Sequence, residues 1–283
     1  MDILALHGLN FVYSIATLGL IVLGLAVVFG LLGVMNMAHG ELVMIGAYCA
    51  FVVQQAGLHP VLAVPLALCV CGLVGLAMEW TVVRHLYRRP FDTLLATWGI
   101  AILLRECVEN LFGRGYQSVN ETVGGTVMLL SVRYPTYRLI LIAIVITLFI
   151  GLFVWYQRSS TGARIKAMVS NPELAAAVGI NGPRLARSTF VFGTAMAGLA
   201  GVLLAPLVRI EPFMGIDYLL SSFFVLVVGG LGSLEGLLIG STVIGGSNVV
   251  ASAAFGNTGG YLTVLAISIL FLWLKQDGLY ARR

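Results

Sequence analysis

The chain has 283 residues, of which 59% are hydrophobic and only 10% charged, with a formal net charge of +4. A soluble domain carries about 25% charged residues, so this chain cannot cover a water-facing surface with charge and must face lipid. In such a chain the positions of Lys and Arg matter more than their sum, and the positive balance does not point to nucleic acid.

A window of about 20 apolar residues, the length of a bilayer-crossing helix, predicts nine spans, at roughly 9–34, 40–56, 60–83, 93–112, 138–156, 188–208, 218–232, 234–254 and 260–274. The seventh is short and Gly-rich. It and its neighbour form either two crossings or a re-entrant pair. The expected fold class is all-α: a polytopic transmembrane helical bundle of 8–9 membrane segments with Gly-rich broken or re-entrant segments, in a single domain over 1–283. The opening "MDILALHGLN" has Asp2 and no Lys or Arg. It lacks the basic front of a signal peptide, so the first span is expected to be retained.

The first junction reads "NMAHGE" (36–41), with Asn36, His39 and Glu41 between two apolar runs and Gly40 permitting a break. Polar groups inside a membrane are costly, so each is a functional candidate. They either satisfy the backbone at a helix break or line and gate a solute path. No metal is expected: HExxH is absent, and the other histidines are only His7, His59 and His85. Cys49, Cys69, Cys71 and Cys107 all lie in apolar segments without a CxxC, which fits small buried residues. Asn120-Glu121-Thr122 matches the short glycosylation pattern.

Glu79, five residues before Arg84, is expected to make a local salt bridge or reach the interface. In the fourth span Thr97 and Trp98 face the pathway, or Trp98 packs against lipid. Arg105 and Glu109 are four residues apart and can pair on one helix face. The other reading has Arg105, Glu106 and Glu109 touch a partner chain.

Lys and Arg separate along the chain. Arg84, Arg88 and Arg89, then Arg158, Arg164, Lys166, Arg184 and Arg187, then Lys275, Arg282 and Arg283 fall on one side. Arg114, Arg133, Arg138 and Arg209 fall on the other. The positive-inside bias puts the N-terminus outside and the C-terminus in the cytoplasm.

The basic segment 157–187 holds "NPELAAAVGING" (171–182). Asn171 is a good N-cap, Pro172 suits the first helical position, Glu173 favours the positive end of the helix dipole and Gly179 ends the helix. Asn181-Gly182-Pro183 then turns the chain. A helix of about two turns is unstable alone in water. Leu174, Ala175, Ala176, Val178 and Ile180 therefore fold back onto the bundle or enter a groove on another protein.

Small residues recur every fourth position at Gly193, Ala197, Gly201 and Ala205, and again at Gly232, Gly236 and Gly240. On helices these stripes let another backbone approach. "VVGGLGSLEGLLIG" (227–240) adds Gly230, Gly232, Ser233 and Glu235 to the candidate path. Its Glu235-x-x-x-Ile239-Gly240 echoes Glu41-x-x-x-Ile45-Gly46, as an internal repeat would.

Glu173, Ala175 and Gly179 match the Glu-Ala-Ala-x-x-x-Gly pattern of ABC importer permeases, with Leu174 at the first Ala. "GLLGVMNMAHGELVMIGAY" (30–48), "TLLATWGI" (93–100), "AGLAGVLLAP" (197–206) and 227–240 resemble the permease family of branched-chain amino acid and urea ABC importers. "ATWG" and "RYPTYRL" look more like the urea branch.

The resemblance implies a coupling helix at Glu173, Leu174, Ala175, Ala176 and Gly179, docking on an ATPase subunit. It implies a homologous second permease, two ATP-binding cassette subunits and an extracytoplasmic solute-binding protein, in a bacterial inner membrane. It also implies a translocation subunit rather than an enzyme, with no catalytic residue and no cofactor of its own. The chain has no Gly-Lys dipeptide, hence no Walker A loop, so ATP and Mg²⁺ are expected on partner chains. The alternative is a self-sufficient channel or secondary transporter for a small neutral solute.

Overall fold

The computed structural model describes residues 2–33, 35–87, 89–121, 123–129, 132–230, 234–274 and 279. Helix α1 (Asp2–Leu32) is followed by α2 (His39–Gln55), α3 (Ala63–Met78), α4 (Arg84–Leu86) and α5 (Pro90–Phe112). A short hairpin of β1 (Thr126–Leu129) and β2 (Val132–Pro135) precedes α6 (Thr136–Arg158), α7 (Ser160–Ser170) and α8 (Pro172–Ala177). The chain closes with α9 (Gly182–Leu204), α10 (Met214–Gly229) and α11 (Leu234–Leu274). The helical reading stands. The hairpin is an addition to it, pairing Thr126 with Pro135 and Leu129 with Val132 outside the apolar runs.

Five helices among the described residues are long and apolar enough to cross a membrane: Ala5–Gly30, Pro60–Leu86, Thr136–Arg158, Gly182–Leu207 and Glu235–Leu274. The last is two helices in line. Gly256, at φ 76° and ψ 175°, breaks it between the expected eighth and ninth spans. Helix α2 has 17 residues and α10 has 16, about 25 Å each at 1.5 Å per residue. Both are shorter than the roughly 30 Å hydrocarbon core.

Helix α2 is enclosed on nearly all sides, with Leu42, Val43, Met44 and Ala47 fully buried. Its closest neighbours are α9, α3 and α10. The first small-residue stripe explains how α9 packs. A Cβ on Gly193 would strike Gly24 of α1, and one on Gly201 would strike the Val43 carbonyl of α2. Backbones this close gain dispersion along their length, the main attraction between helices in lipid. In the second stripe Gly236 and Gly240 meet Gly229 of α10; Gly232 lies outside the described residues.

Described members of the two basic sets, Arg184 and Arg187 on the one hand and Arg209 on the other, lie near opposite ends of α9. Arg187, near the start of α9, is ion-paired with Glu79 at 2.8 Å, which joins the α3–α5 junction to α9. Beyond the other end of α9, Ile210 and Gln117 exchange backbone hydrogen bonds of 2.8 and 2.9 Å. There Arg209 lies over the Tyr116 ring and Arg138 over Tyr13. Of the cysteines, Cys49 and Cys71 are buried as expected, but Cys69 and Cys107 are exposed on outward helix faces.

Candidate functional site

The break between α1 and α2 is built from its own polar side chains. Gly33, at φ 62°, ends α1. Asn36 Oδ1 accepts from the Ala38 N–H at 3.0 Å and the Asn36 carbonyl from the His39 N–H at 3.2 Å. His39 Nε2 lies 2.8 Å from the Ile21 carbonyl, so the tautomer protonated at Nε2 donates to it. The Met37 N–H donates to Thr97 Oγ1 at 3.1 Å, and that hydroxyl donates to Thr93 O at 2.8 Å. Asn36 and Thr97 thereby supply partners for the Met37, Ala38 and His39 N–H groups that the break leaves open, as burial requires.

Glu41, in the first turn of α2, is ion-paired with Arg105 of α5. Both are largely buried, and Arg105 also lies 5.4 Å from the centre of the Phe213 ring. The spacing of Arg105 and Glu109 had suggested an i,i+4 pair. Instead Arg105 turns inward to Glu41, and Glu109 pairs with Arg114 at the helix end. A buried guanidinium needs a carboxylate, and the one that α2 presents is the better shielded. Gly40 packs against the Gly215 carbonyl of α10, so the break also contacts the start of α10.

The structure therefore brings Asn36, His39, Gly40, Glu41 and Thr97 together. Trp98 points away and is 55% exposed. Gly230, with φ 104°, is buried at the end of α10, and Glu235 is exposed in the first turn of α11. Gly232 and Ser233 lie outside the described residues. Among the described residues no group of three or more His, Cys, Asp or Glu side chains could hold a metal ion.

The second candidate region is α8. Asn171 Oδ1 caps it by accepting from the Leu174 N–H at 3.0 Å. The helix stops at Ala177. Gly179 follows at φ 88°, with Gly179 N–H bonded to Ala176 O and Ile180 N–H to Ala175 O. This is the paired arrangement of a Schellman C-cap, which needs a left-handed residue at the glycine. Asn181 Oδ1 then caps α9 through the Arg184 N–H at 3.0 Å.

The apolar side chains of α8 and the turn after it divide. Ala175 is buried and Ile180 half-buried, whereas Leu174 is 63% and Val178 70% exposed. A groove of about 570 Å³ runs beside them, lined by Arg164, Val178, Gly179, Asn181 and Arg184 among others.

A cluster that sequence spacing did not reveal lies beneath this loop. Glu79 was expected to make a local salt bridge or reach the interface. Its two carboxylate oxygens instead take Arg187 Nε at 2.8 Å and the Tyr87 hydroxyl at 3.2 Å. Burial first, and then the carboxylate beside it, push the Tyr87 phenol up, so it stays protonated and donates. Five residues in π-helical form, Glu79–Val83, sit at this point, a feature frequent at functional positions.

A family model described as "Branched-chain amino acid transport system / permease component" matches residues 8–274. The high-affinity branched-chain amino acid transport system permease protein LivH of Escherichia coli K12 is 28% identical, covering 94% of this chain and 92% of its own. BraD of Pseudomonas aeruginosa, of the same description, is 28% identical with the same coverage. A probable branched-chain amino acid transport permease protein LivH of Methanocaldococcus jannaschii is 28% identical over 80% of this chain and 74% of its own. Among solved structures, PsaBC from Streptococcus pneumoniae in complex with Fab superposes with a TM-score of 0.55 at 10% identity. The match covers 96% of this chain and 92% of that one, and is a likeness of fold.

Proposed function

The chain belongs to the branched-chain amino acid transport permease family, and on that premise we propose that it is the translocation subunit of an ATP-driven importer for a small solute. It sits as a multi-pass protein in the bacterial inner membrane, with 8–9 membrane segments, the N-terminus outside and the C-terminus in the cytoplasm. It pairs with a homologous permease and works with two ATP-binding cassette subunits and an extracytoplasmic solute-binding protein. It performs no catalysis and binds no cofactor itself; ATP and Mg²⁺ belong to the ATPase chains.

The observation that carries this reading is α8. Leu174 on a six-residue helix and Val178 at its C-cap stand exposed at the end of the bundle that holds Glu79 and Arg187. Such a knob is suited to a hydrophobic groove on another protein. Closure of the ATPase pair pushes Glu173–Gly179, and α9, which follows within a few residues, passes the push to α1, α2 and α3, against which it packs. The solute path at the permease–permease interface then alternates between outward and inward openings. Asn36, His39, Gly40, Glu41, Thr97, Trp98 and Gly230, with Gly232, Ser233 and Glu235, are the proposed elements lining or gating it.

The curated relatives are named for branched-chain amino acids, which supports an aliphatic amino acid as the solute. The second reading, urea or a short amide, rests on "ATWG" and "RYPTYRL".

Reconstitution tests the proposal. Proteoliposomes holding the whole assembly should accumulate solute only with ATP, and the chain alone should give no flux. Solute flux through the chain alone would establish a channel or secondary transporter in its place.

A further inference from the structure

An elongated cavity of about 510 Å³ runs along the outside of the bundle between α3 and α9. Leu68, Gly72 and Leu76 form one wall, and Val191, Phe192 and Ala195 form the other. The residues of each wall recur a turn apart, so each wall is a continuous apolar ridge along its helix. Gly72 brings the ridges together: a Cβ there would already touch Val191 Cγ1 at 3.8 Å and Ala195 Cβ at 4.0 Å. The mouth is basic. Arg184 and Arg187 line it at the α8 end, where the Glu79–Arg187 pair fixes the depth at which α3 and α9 meet.

The groove has the depth of one leaflet. From Arg184 to Ala195 it follows α9 for about 16 Å at 1.5 Å per residue, half of the roughly 30 Å hydrocarbon core. Its mouth has the features of a membrane surface. Trp80, one turn after Leu76, is 57% exposed, and the Arg84 guanidinium stands 5.3 Å from its ring. Exposed Trp with Arg at the end of a span marks the head-group level. Arg187 engages Glu79 through Nε, which leaves its terminal nitrogens for another acceptor. Arg184 is exposed at the same mouth.

We propose that this groove holds an acyl chain of an anionic phospholipid, with the phosphate on Arg184 and on the terminal nitrogens of Arg187. A phosphate and a guanidinium fork form charge-assisted hydrogen bonds, and basic residues at the cytoplasmic end of a span attract anionic lipid. A second copy of this chain, related by a two-fold axis along the membrane normal, would instead bring the same arginines together at one depth, a like-charge contact. The head group rests on the Glu79–Arg187 contact, where α9 leaves the α8 turn. The site rests on the chain crossing a membrane and not on which solute it moves.

Native mass spectrometry of the assembled transporter in detergent tests the assignment, with phosphatidylglycerol or phosphatidylcholine of the same acyl chains added. Phosphatidylglycerol should be retained at least fivefold more than phosphatidylcholine at equal concentration. Ala195→Phe, which plugs the groove and keeps its charges, and Arg184→Gln, which does the reverse, should each lower that retention at least fivefold. The same spectra report whether the assembly is intact. Leu76→p-benzoylphenylalanine, irradiated in vesicles containing phosphatidylglycerol, should gain the mass of that lipid.

Retention unchanged in both variants would overturn the site, as would equal retention of the two lipids. A crosslink from position 76 to another protein chain would overturn it too, by placing protein in the groove. Lipid retention is read without ATP or solute, so its loss leaves the importer standing, and a failure of ATP-driven uptake leaves the lipid site standing.

Discussion

The break at 36–41 and the loop at 171–180 pose opposite problems. In the first, Asn36, His39 and Glu41 are polar groups in apolar surroundings; in the second, Leu174 and Val178 are apolar groups among basic flanks. The fold resolves the first internally, through Ile21 O, Ala38 N and Arg105. It leaves the second outside, with Leu174 and Val178 more than half exposed. The difference follows from what each group needs. A polar side chain needs one or two partners, and an interrupted helix supplies free backbone groups next to it. An apolar side chain needs area, and a six-residue helix at the end of a bundle has little to pack against. The break finds most of its partners within the chain, although Glu41 Oε2 and Arg105 Nε stay buried without one, whereas the loop leaves its apolar side chains uncovered.

The largest effect that would sharpen this contrast is expected from closing the space around the buried region. Gly201→Leu would drive a side chain into the Val43 carbonyl and separate α2 from α9. The variant should fail to accumulate in the membrane fraction by immunoblot; wild-type accumulation would show that the two helices are not packed this way.

Next comes Glu41→Ala, which leaves Arg105 buried without its carboxylate. The expected loss is on the order of 3 kcal/mol, read as thermal denaturation in detergent. Glu41→Leu combined with Arg105→Met should recover most of it. A neutral Glu41→Ala would mean that the pair contributes little to holding α2 on α5.

The loop should behave in the opposite way. Gly179→Leu places a side chain at φ 88°, where L-residues are strained. ATP-driven uptake should fall at least tenfold with accumulation unchanged, and Gly179→Asn should fall less because Asn tolerates that conformation. Glu173→Lys should likewise lower uptake, by opposing the helix dipole. If these variants destabilise the chain as Glu41→Ala does, the division between a self-contained region and a docking region fails. The smallest effect is expected from Trp98→Ala. At 55% exposure its side chain fills no core space, so stability should shift by no more than about 0.5 kcal/mol.

Much of this was legible in the sequence because it rests on neighbours in the chain. The helices fall on the apolar runs, and Gly256 separates the eighth and ninth expected spans. Asn171 and Gly179 mark the ends of α8 through bonds reaching only a few residues. The stripe from Gly193 to Ala205 marked a face that touches another backbone, though not which one.

Partners far apart were not legible. Glu79 binds Arg187, 108 residues on, in preference to Arg84, and Arg105 binds Glu41 in preference to Glu109. Spacing favours the near partner on one helix; burial selects whichever charge the packed helices bring to the same depth.

The amino-acid order alone determined that the apolar runs are helical, where the short helix starts and stops, and where Gly256 interrupts the last long helix. Hydrogen bonding within a helix and the cost of charge in lipid are local, one-dimensional constraints. Only the tertiary structure decided which charges pair, which glycines meet and where a cavity remains. Those outcomes depend on the close packing of helices whose contacts are set by shape, not by distance along the chain.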